Sequence, residues 1–325
     1  MKNVRTDLAI ETAEILTEDT SDIEGIRVKN LESEDKNISL CKVEIYNENG
    51  AKRMGKPIGN YITIESSSIK ENDSTQHERI IKLMGKNIVE LCKLKKDDVI
   101  LIVGLGNRDV TPDSLGPKAV SKILVTRHIK ESIPDEIKET VRSVCAVAPG
   151  VMGVTGIETS EMIKSIAESV KPDVVIAIDA LAARKTSRIN ATIQISDTGI
   201  SPGAGMGNNR KVLNEEELGV PVVAIGVPTV VDAATLANDT MDNMIEAMIN
   251  ECESGSEFYK MLESLDKDEK YRLIRDVLDP YTENMFVTPK EIDAVMERVS
   301  NIIANAVNIA LHPGITAEDI NRYFN

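Results

Sequence analysis

VVIAIDALAAR, residues 174–184, places five apolar residues, Val174 to Ile178, directly before an aspartate, Asp179. A run this short with no polar member suits a strand buried on both faces, as in a parallel sheet. Three more runs have the same texture: VILIV at 99–103, VCAVA at 144–148 and VVAIG at 222–226. Helical stretches are expected between several of them, including Pro117 to Lys130 and Glu158 to Val170. The alternation predicts an α/β fold with a mostly parallel central sheet flanked by helices. In such sheets the chemistry collects beyond the C-terminal ends of the strands. The residues that follow each run are therefore the first candidates for a site.

Outside this region the texture changes. CKVEIYN (41–47) and NYITIE (60–65) alternate apolar and polar residues, as half-buried strands do. Ile80, Ile81, Met84, Ile88 and Leu91 recur at steps of three and four and predict a helix from about His77 to Leu91. Near the end, Thr288-Pro289-Lys290-Glu291 reads as a capping box, and Ile292, Val295, Met296, Val299, Ile303, Ala306 and Val307 share one helical face. His312-Pro313-Gly314 should stop that helix. Residues 1–40 are polar and mixed in charge, which is compatible with a removable N-terminal segment.

Composition narrows the classes. The chain has 325 residues, 42% of them hydrophobic, enough for one sizeable core. No apolar stretch approaches the roughly 20 residues that span a bilayer. The start, MKNVRTDLAIETAEI, lacks the apolar core of a secretory signal, so a cytoplasmic protein is expected. The net charge of −15 argues against direct nucleic-acid binding. Cys41, Cys92, Cys145 and Cys252 are far apart and suggest neither a metal site nor a redox pair, and Cys145 is expected to be buried.

The strand ends hold the candidates. Val103 leads into GLGNRDVTPDSLGP (104–117), where glycines allow a sharp turn at the top of a buried strand. GLGN lacks the third glycine of a dinucleotide loop and the lysine of a phosphate loop. Asp113 stands in a Pro-Asp-Ser turn and, taken alone, is an ordinary turn residue. Asp179 could equally cap a helix or do chemistry, because a carboxylate after a buried run is costly without a purpose. Ala148 to Gly156 and Gly226 to Ala233 add glycine, proline and hydroxyl groups to the same rim, with Asp232 expected to cap the helix that follows. Asp197-Thr198-Gly199 spells the triplet of pepsin-like proteases, but those are all-β and need two copies. Ser201 to Asn208 reads as a loop over the site. His77, His128 and His312 accompany no serine, cysteine or zinc motif, which leaves carboxylates as the credible catalysts.

In order along the chain, VRTDLA (4–9), GLGNRDVTPDSLGP, APGVMGVTGIET (148–159), VVIAIDALAAR, ATIQISDTGISPGAGMGN (191–208), GVPTVVDA (226–233) and VTPKEIDAVM (287–296) resemble the germination protease family of spore-forming bacteria. The stretch near 250–265 looks shorter than in other members. The resemblance implies an atypical aspartic endopeptidase that digests small acid-soluble spore proteins in the spore core. It also implies a homotetramer made as a zymogen, and a fold related to the hydrogenase-maturation endopeptidases. By motif, the essential aspartates fall on Asp113 and Asp179, and Asp197 is set aside. The family's substrates resemble Thr-Glu-Phe/Ile-Ala-x-Glu, cut after the acidic residue, and Thr6-Asp7-Leu8-Ala9-Ile10-Glu11 fits that pattern. The chain would then cut itself between Asp7 and Leu8. Residues 1–7 would be a propeptide, and residues 8–325 one α/β protease domain with an N-terminal strand subregion and a C-terminal helix.

Hydrolysis by two carboxylates needs no cofactor and no metal. The turn at Gly104, Gly106 and Asn107 is a candidate source of backbone N–H groups for a developing oxyanion. Two other readings stay open at this level. One is a metal-assisted peptidase. The other is a nucleotide-binding or scaffold module on the same sheet. No membrane partner is expected.

Overall fold

The four continuous apolar runs lie side by side as parallel strands: β4 (Val99–Gly104), β5 (Ser143–Val147), β6 (Val174–Ala183) and β8 (Val222–Asp232). The computed structural model describes residues 6–19, 23–31, 33, 35–130, 132, 134, 138, 140–201, 211–251, 256, 257, 261 and 285–315. Within them the strands form one sheet in the order β1-β2-β3-β7-β8-β6-β4-β5. Here β1 is Ile26–Leu31, β2 Ser39–Ile45, β3 Gly59–Glu65 and β7 Thr192–Ser196, and β9 (Phe286–Val287) pairs with β8.

The expectation of a mostly parallel sheet holds for one half only. β8, β6, β4 and β5 are parallel, whereas β1, β2, β3, β7 and β8 pair antiparallel in turn, as does β9. The sheet is mixed. The alternating strands CKVEIYN and NYITIE build the antiparallel half, as alternation favours. ATIQIS carries it on to β8 as β7, a strand whose pattern alone did not disclose its direction.

Helices cover both faces of the parallel half. α3 (Ser74–Cys92) and α9 (Ile292–Leu311) pack with Ile100, Ile102, Ile176, Ile178, Val223 and Ile225. On the opposite face α6 (Thr159–Val170) sets Ile163 and Ala167 against Leu101, Val103, Val175 and Ala177. Each such side chain contributes roughly 1.5–3 kcal/mol on burial, so the apolar runs fix the sheet's place in the core. α1 (Ala9–Asp19) opens the chain and packs near the antiparallel half, where Leu8, Ala9 and Ala13 join Val43, Ile45, Tyr61 and Leu181. Among the described residues, no helix is long and apolar enough to cross a membrane.

Three local expectations are corrected. The helix foreseen from Pro117 to Lys130 is short, α4 (Leu115–Val120). Beyond it the chain runs along the exposed edge of β5, where the Thr126 and Arg127 amides donate to the Val144 carbonyl. Thr126 Oγ1 also donates to Arg142 O and accepts from the Val144 amide. The capping box does not form. α9 starts after Glu291 without a side-chain cap, and Thr288 Oγ1 donates instead to Thr229 O at 2.8 Å. Cys145 is half-buried because β5 is the last strand of the sheet. By contrast, His312 does stop α9, and the helices foreseen at His77–Leu91 and Glu158–Val170 are present with ends within three residues of expectation.

Candidate active site

β4 stops one residue short of Asp179. Its last pairing is Gly104 with Ile178, so Asp179 is the first residue of β6 beyond the neighbouring strand's end. The strand itself continues to Ala183, paired with β8, so Asp179 lies within a strand rather than at its tip. It is 4% exposed, and its Oδ1 accepts the Ala180 amide at 2.9 Å. Asp179 is also among the residues that line a cavity at this level of the sheet.

The chain leaving β4 fills one side of that space. The Leu105 amide donates to Ile178 O at 2.8 Å and ties the turn to β6. Gly104 and Gly116 lie back to back: a Cβ on Gly104 would come within 2.3 Å of Gly116 O. Gly106 takes φ of +109°, and a Cβ there would meet Asp113 O at 2.0 Å. A side chain on Gly106 would therefore push Asp113 away. The Asn107 amide then donates to Asp113 Oδ2 at 2.8 Å. This amide, foreseen as an oxyanion donor, is committed to holding the carboxylate. Behind Asp113, Thr229 Oγ1 donates to Pro112 O at 2.7 Å and pins the turn to β8.

Asp113 and Asp179 thereby line one cavity of about 220 Å³, together with Gly106, Pro112, Thr229 and Asp7. The space is roomy enough for several water molecules. Gly104 lies behind its wall as the last residue of β4.

Asp7 enters from the far end of the chain, carried there by α1. Its amide donates to Ala182 O at 3.0 Å, and its Oδ2 accepts the Ala182 amide at 2.8 Å. Lys56 Nζ and Gln194 Nε2 both donate to the Asp7 carbonyl, at 2.8 and 3.3 Å. Gln194 Oε1 accepts the Ala9 amide at 2.7 Å. Leu8 and Ala9 are fully buried, and the buried Glu11 accepts the amides of Arg184 and Lys185. Residues 1–5 of the expected propeptide lie outside the described residues.

The remaining candidates fall elsewhere. Asp197 accepts the Asn60 amide and side-chain N–H on its two oxygens, both at 2.7 Å, and so clasps β7 to β3. Asp232 Oδ2 accepts the Thr235 amide and hydroxyl at 3.0 Å, which caps α8 (Ala233–Glu251) as foreseen. Ser201 to Asn208 lie outside the described residues from 202 onward, and so does most of the stretch near 250–265. His77 bonds Ser68 O, and His312 is buried against Leu124 O. Lys56 and Gln194 were missed in the sequence. Gln194 left a trace there, as an amide in the centre of the apolar strand ATIQIS.

The family model described as germination protease matches residues 4–262 and 246–324 of the chain. The chain belongs to the germination protease family. The germination protease of Clostridium tetani is 51% identical over 324 residues, covering 99% of this chain and all of that one. That of Clostridium perfringens is 52% identical over 326 residues, with both chains covered in full. That of Bacillus subtilis is 43% identical over 357 residues, covering 98% of this chain and 96% of the relative. Membership makes the chain a protease, and the cavity lined by Asp113 and Asp179 is its candidate site.

Proposed function

We propose that this protease starts the breakdown of small acid-soluble spore proteins on germination, and that it is made as a zymogen that cuts itself between Asp7 and Leu8. One observation carries the reading: Asp7 lines the same cavity as Asp113 and Asp179. The segment Thr6 to Glu11 has the acidic-hydrophobic-Ala-x-Glu pattern expected of the substrates. It is held through its main chain and its two carboxylates, as a substrate would be. Cytoplasmic residence in the spore core and a homotetrameric assembly belong to the same proposal and follow from the family resemblance.

The chemistry proposed is aspartic. Two carboxyl groups facing one small cavity favour a state with one proton between them. The ionised member takes a proton from water as it attacks the carbonyl carbon, and the protonated member supplies one to the leaving amine. Asp179, deeper in the sheet, and Asp113, on a turn held by Asn107 and Thr229, are pinned by different elements. That keeps the two at fixed separation through the reaction.

The test is intact-mass spectrometry of a small acid-soluble spore protein incubated with the chain, with an Asp179→Asn variant alongside. The reading predicts one cut after the acidic residue of the motif, absent with the variant. A cut that persists with Asp179→Asn removes the dyad and keeps the protease. No cut by a folded parent chain removes the substrate assignment.

A further inference from the structure

Gly55, with φ of +61°, ends α2 (Glu48–Met54) and turns the chain so that the next residue, Lys56, points its amine at the Asp7 carbonyl. The side chain is half-buried, and burial pushes its pKa below the ordinary lysine value against the pull of Asp7 and Glu11. A solvated lysine gains little by leaving water for a neutral carbonyl, so the position requires a reason. Gln194 reaches the same oxygen from the middle of β7, between the buried Ile193 and Ile195. Its amide spans Leu8, donating to Asp7 O and accepting from Ala9 N, and so grips the main chain on both sides of that residue. Asp7's own carboxylate is held separately, by the Ala182 amide. Two donors thus converge on the oxygen of a single carbonyl, in a space that Asp7, Lys56 and Gln194 line together.

We propose that Lys56 and Gln194 are the oxyanion clamp of the self-cut: they stabilise the negative charge that forms on the Asp7 oxygen when water attacks. This rests on the self-processing reading above. In the step, the water oxygen bonds to the Asp7 carbonyl carbon and its proton passes to an ionised carboxylate of the Asp113–Asp179 pair. The carbon–nitrogen bond then breaks, and the Leu8 nitrogen leaves as an amine with a proton from the protonated partner. The oxygen passes from a partial to a full negative charge, so a cation and an amide N–H already aimed at it bind the transition state more strongly than the ground state. The clamp supplies what the Asn107 amide cannot, since that amide is occupied by Asp113.

The full-length chain, followed by intact mass for loss of residues 1–7, tests the clamp. Lys56→Met removes the charge and keeps the length, and Lys56→Arg keeps the charge. Gln194→Glu keeps the acceptor for Ala9 and removes the donor. Lys56→Met and Gln194→Glu should each slow the loss by about 100-fold, the usual effect of deleting one oxyanion donor. Lys56→Arg should recover part of the rate, which a merely structural side chain would not do, and all three should keep the parent's unfolding midpoint within a few degrees. If the parent loses residues 1–7 and the folded Lys56→Met and Gln194→Glu variants lose them equally fast, the clamp is overturned and self-processing stands. A parent that never loses them overturns both. Should Lys56→Met fail to fold, Gln194→Glu decides alone, because its shape and its bond to Ala9 are retained.

Discussion

Asp179 and Asp113 reach the cavity by different means. Asp179 is carried by a strand in which every residue but Ala180 is buried, paired on β8 through to Ala183. Asp113 stands on a turn tied down by hydrogen bonds that include those from Asn107 to its carboxylate and from Thr229 to the preceding carbonyl. Changing either aspartate to asparagine should leave the melting curve unchanged and abolish cleavage, as measured on a motif peptide. Full activity in Asp113→Asn would end its assignment. Thr229→Val should be milder. It removes a bond of about 1 kcal/mol that positions the turn, and should lower kcat by roughly tenfold with KM little changed. A rise in KM at constant kcat would place Thr229 in substrate binding instead. At this scale Asp179 drew notice because it follows a strand-like run, whereas Asp113, an ordinary turn residue by itself, was singled out by the family resemblance. Lys56 was not, since nothing near it in the chain shows that α2 ends with its amine facing residue 7.

The elements are tied by a few polar side chains that periodicity does not disclose. Arg142, 9% exposed, donates from Nη1 to the carbonyls of Ala310 and Leu311 and from Nε to Lys95 O. A cation at the last carbonyls of α9 meets the negative end of that helix. Arg142→Met should cost about 2–3 kcal/mol, since charged hydrogen bonds contribute more than neutral ones, and should be visible as a fall in urea midpoint with no change in the slope. Asp232→Ala should cost about 1 kcal/mol through the lost cap of α8. The parallel strands and the helices over them were readable from runs and spacings, because a face buried against a sheet must be apolar at every third or fourth position. The antiparallel neighbours of β8 were not readable. A strand such as ATIQIS, buried by partners on both sides, has no alternation left to reveal which way its partners run. Thr288 illustrates the same limit. Its spacing from Glu291 fits a capping box, yet its hydroxyl goes to Thr229, a residue 59 positions away.

For the molecule as a whole, acid should loosen the fold before it unfolds the surface. His312 is fully buried, and burial holds its pKa at about 4, with the Leu124 carbonyl pulling it up and Arg142 pushing it further down. A histidine lowered in the folded state contributes stability that is present above its ordinary pKa of 6.5 and is lost as pH falls from there through about 4. Thermal melts between pH 7 and 4.5 should therefore drop by more in the parent than in His312→Gln, and parallel curves would remove His312 from the account. Glu14 acts lower. Burial would raise its pKa, but Arg188 and Lys185 hold it at about 2, so its contribution is present above 4.5 and fades only below that value. At this scale the sheet also joins distant parts of the chain. The groups that bond Asp7 or share a cavity with it come from positions 56, 113, 179, 182 and 194, and β8, which pairs with both β6 and β7, ends at 232. A nascent chain emerging from the ribosome presents residue 7 first and the groups that would cut beside it much later. Until β6, β7 and β8 have joined, the link is an ordinary stretch of exposed peptide without Asp113 and Asp179 beside it. Shedding the first seven residues would thus report that assembly of the sheet is complete, and a misfolded or truncated copy would keep them as its mark.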